Sequence, residues 1–249
     1  MTLLDFTPAA GAAPRARQVW AHATTEASLI LRNGEQALLA LVIPIGILVA
    51  GRFLGSRFGL DFPTLAPSVL ALAIWSSCFT SLAIATGFER RYNVLERLAA
   101  TPLGKSGILL GKATAIALVT GVQLVALVVV ALVLGWRPGF APVPLVVAVL
   151  ACLLGAGAFA GLALSLAGTA RPEITLAVAN LVYLVGLVGG GILLPVASYP
   201  AWAQSVVALL PTAALGEALR DGTPMTLVVL AVWCAGTLVL ARKVFRWTS

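Results

Sequence analysis

Six long apolar runs constrain this chain more than anything else in it: residues 37–54, 65–88, 107–134, 143–167, 174–194 and 225–240. Each is about 16–28 residues long, close to the ~20 a helix needs to cross a bilayer and well beyond the ~10 of a barrel strand. Their apolar residues are continuous and do not alternate, so a barrel is excluded. With no water in the hydrocarbon to bond the backbone, spans of this kind are helical. Only 10% of the residues are charged, 60% are hydrophobic and mean hydropathy is +1.04, so little is left over for a large soluble domain. The expected fold class is an all-α integral membrane protein with six transmembrane helices.

The net charge of +7 does not point to nucleic acid. The basic residues lie in small clusters between the spans, where they set topology and attract anionic lipid. Cys78, Cys152 and Cys234 each fall inside an apolar run with no short spacing between them, which implies packing residues and neither a disulfide framework nor a metal site. No charged segment followed by a short apolar stretch and a small-residue cleavage site opens the chain, so the first spans are expected to act as the insertion signal.

Residues 1–14, with Pro8, Gly11 and Pro14, read as a disordered tail. Over 15–34, Ala16, Trp20, Ala23, Ala27 and Ile30 recur at helical spacing with Arg17, Gln18, Thr24, Thr25, Ser28 and Arg32 elsewhere on the wheel, which predicts an amphipathic helix in the membrane interface. The lone His22 has no second histidine to complete a metal site and is expected at the surface. The rest, 35–249, forms the transmembrane domain.

Pro44 is expected to kink the first span, with Arg52 reaching outward from its end. Ser76, Ser77, Thr80 and Ser81 sit mid-span in the second and can bond to their own helix or across to a neighbour. Lys112 is close enough to the start of the third span to snorkel, and Gln123 lies deeper in it. Gly157 and Gly161, and Gly186 and Gly190, are small-residue pairs that let a second helix approach. Residues 195–224 are too polar and proline-broken to span yet carry Trp202, Val206, Val207, Leu209 and Leu210; short helices re-entering the membrane boundary on the extracytoplasmic side satisfy both constraints.

Six spans put both termini on one side. That side holds Arg15, Arg17, Arg32, Arg90, Arg91, Arg97, Lys105, Lys112, Arg171, Arg242, Lys243 and Arg246; the other has Arg52, Arg57, Arg137 and Arg220. The positive-inside rule then makes both termini, and the charged segment 89–106, cytoplasmic.

That segment is the densest charge in the chain. On a helix at about 100° per residue, Phe88, Tyr92, Leu95 and Ala99 share one face while Arg90, Asn93 and Arg97 take the opposite one, flanked by Glu89 and Glu96. Pro102 ends the helix by disfavouring it at Thr101. From the residues alone, a solvated loop and a docking surface stand side by side. Gly104-Lys105-Ser106 is not a phosphate loop, because Ala99 stands where its first glycine belongs, and Gly111-Lys112 is followed by Ala113.

The run Glu-Arg-Arg-Tyr-Asn-Val-Leu-Glu-Arg-Leu-Ala-Ala-Thr-Pro-Leu at 89–103, followed by Ile-Leu-Leu-Gly-Lys, resembles the cytoplasmic signature of the membrane subunits of type-two ATP-binding-cassette exporters, such as antibiotic and drug efflux permeases. Gly-Gly-Gly-Ile-Leu-Leu-Pro-Val-Ala-Ser-Tyr-Pro-Ala-Trp, with the later Leu-Leu-Pro-Thr and Gly-Glu-Ala-Leu-Arg-Asp-Gly, is similar to the segment before their last span. Asn93-Val94 departs from the Gly-Thr common there, which bears on the subfamily and the cargo. The resemblance implies a coupling helix seated on a separate nucleotide-binding ATPase, two ATPase chains joined to two permease chains, identical or paralogous, in the cell inner (plasma) membrane. It places ATP and Mg on the ATPase and no cofactor on this chain. Glu89, Arg90, Arg91, Glu96 and Arg97 are the expected ATPase contacts, chosen for charge and exposure. Gln123, Asn180 and Tyr183 are candidate polar contacts along a pathway for a hydrophobic or amphipathic cargo, or interhelical bonds.

The alternative is a secondary multidrug transporter, which tends to carry ionisable residues near the midplane; the spans hold no Asp, Glu or His near their centres. A membrane-embedded metalloprotease would need His-Glu-x-x-His, and the chain has one His.

Overall fold

The computed structural model describes residues 11, 13–32, 34–58, 61–139 and 141–247, for 34–39, 56 and 58 the backbone only; most of the expected N-terminal tail lies outside them. Every regular element among the described residues is helical. The order is α1 (Arg15–Arg32), α2 (Gly34–Leu54), α3 (Phe62–Trp75), α4 (Leu82–Arg91), α5 (Val94–Ala99), α6 (Gly104–Val133), α7 (Pro142–Thr169), α8 (Pro172–Gly189), α9 (Ala201–Val207), α10 (Pro211–Asp221) and α11 (Met225–Val244). A π-helical turn, Ser76–Ser81, joins α3 to α4, so that Phe62–Arg91 runs as one long helix.

Five helices are long and apolar enough to cross a membrane: Phe62–Arg91, Gly104–Val133, Pro142–Thr169, Pro172–Gly189 and Met225–Val244. The described side chains of α2 supply a shorter apolar stretch, Ala40–Leu54. Pro44 lies within α2 without ending it.

Local chemistry sets the helix starts. Proline opens α7, α8 and α10, where its missing N–H is one the helix could not have bonded anyway. Asp61 caps α3 by accepting from the Thr64 backbone N–H at 3.1 Å and the Thr64 hydroxyl at 2.7 Å. Those bonds hold the Asp61 carboxyl below its usual range.

The long helix Phe62–Arg91 is the most buried of the five; α2, α6, α7 and α8 pack on it, while α11 packs on α7. Trp75 stacks on Phe79 at 4.4 Å between ring centroids and meets Phe159 of α7 edge-on at 4.7 Å, in a core completed by Ala71, Ile74, Ile192 and Leu215. A second cluster packs Leu48 of α2 against Leu65 and Val69 of α3 and Leu127 of α6. The amphipathic helix α1 lies against α6, with Ala23 and Ala27 buried on Ala115 and Trp20 exposed.

The Gly157–Gly161 face is occupied by α11. A Cβ built on Gly161 would lie 2.7 Å from the Thr237 carbonyl carbon, and one on Gly157 would lie 2.6 Å from Cys234 Sγ. At this closeness the Thr237 hydroxyl donates to Ala158 O across the helices at 3.0 Å. Before α11 the chain forms the two short helices α9 and α10, and α10 is buried along most of its length.

Candidate functional site

The charged segment is a helical hairpin. After Arg91 the chain turns at Tyr92 and at Asn93, the one described non-glycine residue with positive φ (57°), and then forms α5. Asn tolerates this left-handed conformation better than most residues. A second reversal follows, with the Thr101 hydroxyl donating to Leu98 O at 2.6 Å and Gly104 at φ 62° opening α6. Leu95 is 1% exposed and anchors α5 in the core, with Leu98 and Ala99 half-buried beside it.

The turn at Asn93 breaks the continuous wheel expected over 88–99. Tyr92, placed on the apolar face by that wheel, is exposed, and Arg90, placed on the outward face, is 6% exposed and donates to Ala170 O at 2.5 Å. The expectation of exposure is therefore corrected for Arg90, and Glu89 too is turned inward. Arg91 is exposed and ion-paired with Glu173 in the first turn of α8, while Glu96 and Arg97 are exposed on α5. Other ends meet here: Arg15 donates to the Ser106 hydroxyl, and Lys105 sits 5.7 Å over the Trp247 ring.

Glu89 reaches a group of ionisable side chains that the sequence kept apart. Lys112, expected to snorkel, is 2% exposed; its Nζ donates to Glu26 Oε1 at 2.9 Å and Oε2 at 3.1 Å and forms an ion pair with Glu89. His22, expected at the surface, is 11% exposed and stands 3.3 Å from Glu26 Oε1. Burial holds its imidazole below the ordinary histidine range; Glu26 pulls the other way and Lys112 adds to the lowering. Three long helices thus converge: α1 with His22 and Glu26, α4 with Glu89, α6 with Lys112. Lys112 stays inside because two partly buried carboxylates await it there, and bringing it out would leave both without their cation.

These groups line one end of a cavity of about 370 Å³ between α1, α2, α4, α5 and α6. Gln123 lines it deeper in: its amide N–H donates to Ala40 O at 2.7 Å, and its carbonyl accepts from the Ser77 hydroxyl at 2.7 Å. Asn180 and Tyr183 do not line it. Asn180 is exposed on α8 and donates to Leu176 O of its own helix at 2.9 Å, and Tyr183 packs on the main core. The three residues are not brought together.

Another buried cation closes the other end of the fold. The Arg220 side chain, 3% exposed, donates to Ser68 Oγ at 2.8 Å, Ile192 O at 2.9 Å, Gly191 O at 3.0 Å and Glu217 Oε1 at 2.9 Å. Glu217 also accepts the Val196 N–H at 2.8 Å. Burial raises the Glu217 carboxyl, but the Val196 and Arg220 bonds outweigh it and hold the group below its ordinary value. In the sequence, Arg220 is one of four basic residues on the sparse side; its spacing of three from Glu217 on one helix face is the signal for an internal role.

A family model described as ABC-2 type transporter matches residues 17–223, a stretch running from α1 through α10 and containing the charged hairpin and both buried networks. No curated protein matches the chain. With its helical spans and that match over most of its length, the chain belongs to the ABC-2 type transporter family as a membrane permease subunit.

Proposed function

We propose that this permease exports a hydrophobic or amphipathic compound, driven by a separate nucleotide-binding ATPase that docks on α5. The observation that carries the reading is the build of the hairpin. Leu95 fixes α5 to the core while Glu96 and Arg97 stand exposed on it and Tyr92 in the turn before it. A docking element has to be both presented and stiffly attached, or a push from the partner is lost in the loop. Arg91, Glu96 and Arg97 are the contacts this geometry favours; Glu89 and Arg90 act behind them, as attachments to Lys112 and to Ala170. In this reading two ATPase chains bind two permease chains, ATP and Mg stay on the ATPase, and both termini of the permease are cytoplasmic in the cell inner membrane.

The buried Lys112 group is the observation that favours an ion-coupled carrier instead. It lies eleven residues from Gln123 toward the start of α6, on the order of 16 Å along the helix, so it sits near the end of the span and not at its middle. Co-purification separates the two readings. A tagged chain extracted from its own membrane in mild detergent should carry Mg-dependent ATP hydrolysis into the eluate, and Glu96→Arg with Arg97→Glu should remove it. An eluate without ATPase activity, or activity that survives both substitutions, overturns the docking assignment.

A further inference from the structure

The cavity behind the charged hairpin has an unbalanced charge. Among the described residues that line it, two carboxyl groups, Glu26 and Glu89, face one ammonium, Lys112, and burial holds the His22 imidazole below its ordinary range. The remainder of the wall is largely apolar, including Leu82, Ile116 and Val119. Glu26 is 17% and Glu89 30% exposed, so neither carboxylate is fully hydrated, and one ammonium cannot neutralise both. His22 Nε2 stands 3.3 Å from Glu26 Oε1 but makes no hydrogen bond to it, so the imidazole does not satisfy the surplus. The rim reaches the surface at Leu29, Leu31 and Val94, all exposed, at the level of the interface helix.

We propose that this cavity binds a hydrophobic organic monocation, its charge held beside Glu26 and Glu89 and its apolar body against Leu82, Ile116 and Val119. The proposal rests on the permease reading and deepens it by naming the charge class of the cargo and the place where it loads. A neutral hydrophobe would leave the surplus charge uncompensated, and an anion would add to it. Charge complementarity thus selects the occupant, and the apolar walls confine it to amphiphiles that partition into a membrane before they enter. Entry at the rim of α1 and α5 brings such a molecule in from the leaflet that faces the charged hairpin. Because Glu89 stands four residues before Asn93, the occupied site touches the same helix end that carries α5.

The test uses the full chain in nanodiscs of zwitterionic phosphatidylcholine, with empty discs subtracted, and two probes of the same shape and opposite charge, tetraphenylphosphonium and tetraphenylborate. Saturable binding of the phosphonium is expected, at least about tenfold tighter than any saturable binding of the borate, which is what one partly screened charge at close range yields. Glu26→Gln and Glu89→Gln should each weaken phosphonium binding by about tenfold, and Lys112→Met, which leaves two carboxylates unopposed, should tighten it. The opposite signs matter, since misfolding weakens binding in every variant. No saturable phosphonium binding, glutamine variants with unchanged affinity, or a Lys112→Met that weakens binding overturns the proposal. These measurements need no ATPase, so a cavity that fails while ATPase co-purifies removes only this inference; the converse result removes only the docking assignment.

Discussion

Replacing Arg220 with Met should release the segment before α11 from the bundle. The guanidinium makes four hydrogen bonds to three separate parts of the chain: Ser68 on α3, the carbonyls of Gly191 and Ile192 at the bend after α8, and Glu217 on its own helix. Charge-assisted bonds of this kind contribute about 1.5–3 kcal/mol each. They share one donor group and cannot be summed. A better bracket is the ~3–5 kcal/mol lost when one partner of a buried pair is removed, taken at its low end because Glu217 is 21% exposed and keeps the Val196 N–H. About 3 kcal/mol corresponds to a melting temperature lower by roughly 6–12 °C for a chain of this size, measurable by tryptophan fluorescence in detergent. Arg220→Lys should recover little of it, since one ammonium cannot span acceptors on both sides of a fork. The pH dependence has a definite sign. Glu217 is held below its ordinary value, so its stabilisation is present above the unfolded carboxylate range and lost as pH falls through the lowered one. The gap between wild type and Arg220→Met should therefore be full near neutrality and narrow below about pH 4. An unchanged melting temperature in Arg220→Met, or a lysine variant equal to wild type, would refute the fork as the closure of this segment.

Two further outcomes follow from close packing and from the turn. Gly161→Leu should force α7 and α11 apart, because even its Cβ meets the Thr237 backbone; a loss of about 1–3 kcal/mol is expected, seen as a lower melting temperature, and an unaltered one would contradict the close approach. Asn93→Gly should leave folding and transport near wild type, whereas Asn93→Val should lower stability by about 1–2 kcal/mol, because a β-branched residue resists left-handed backbone. Cargo efflux measured in vesicles should fall with the valine variant, and equal efflux in the two would show that the turn at Asn93 does not orient α5.

The helices were legible because their determinants are local. Apolar length marks a span, and proline at 142, 172 and 211 opens a helix whatever it packs against. The hydroxyls at 76–81 were legible as a bonding group but not as a π-helical turn, since the extra residue in that turn depends on what α3 and α4 pack against. The candidate site was less visible. Arg90 precedes the left-handed Asn93 and belongs to the wheel of α4, where it falls in line with the buried Ala83, Thr86 and Gly87; a wheel over 88–99 misplaces it by taking its apolar face from residues beyond the break. Lys112 was misjudged because its partners lie 86 residues earlier on α1 and 23 earlier on α4. Glu26 held the clue, standing between Ala23 and Ala27 on the face of α1 that turns toward α6. A charge on the apolar side of an amphipathic helix implies a buried counterion, and Lys112 is the basic residue set within the start of a span.

The buried cations Lys112 and Arg220 take on a joint meaning through the helix that connects them. Ser68, which accepts from Arg220, and Glu89, which pairs with Lys112, lie on the same continuous helix, Phe62–Arg91, roughly 30 Å apart at 1.5 Å per residue. This is also the most buried helix of the bundle, so it cannot shift without moving the neighbours packed around it. Midway lies the Ser76–Ser81 turn, where the wider π-helical ladder replaces the α pattern and Ser77 bonds to Gln123 on α6. A rigid rod would carry a displacement of α5 undiminished to the far end, and a broken one would carry none of it. A rod with one turn in a less stable geometry does something intermediate: it transmits axial force and lets its halves twist relative to each other at the turn. Were α5 displaced by a partner, polar anchors at both ends with one π-helical turn between them would confine the twist to the level of Gln123, which also lines the cavity.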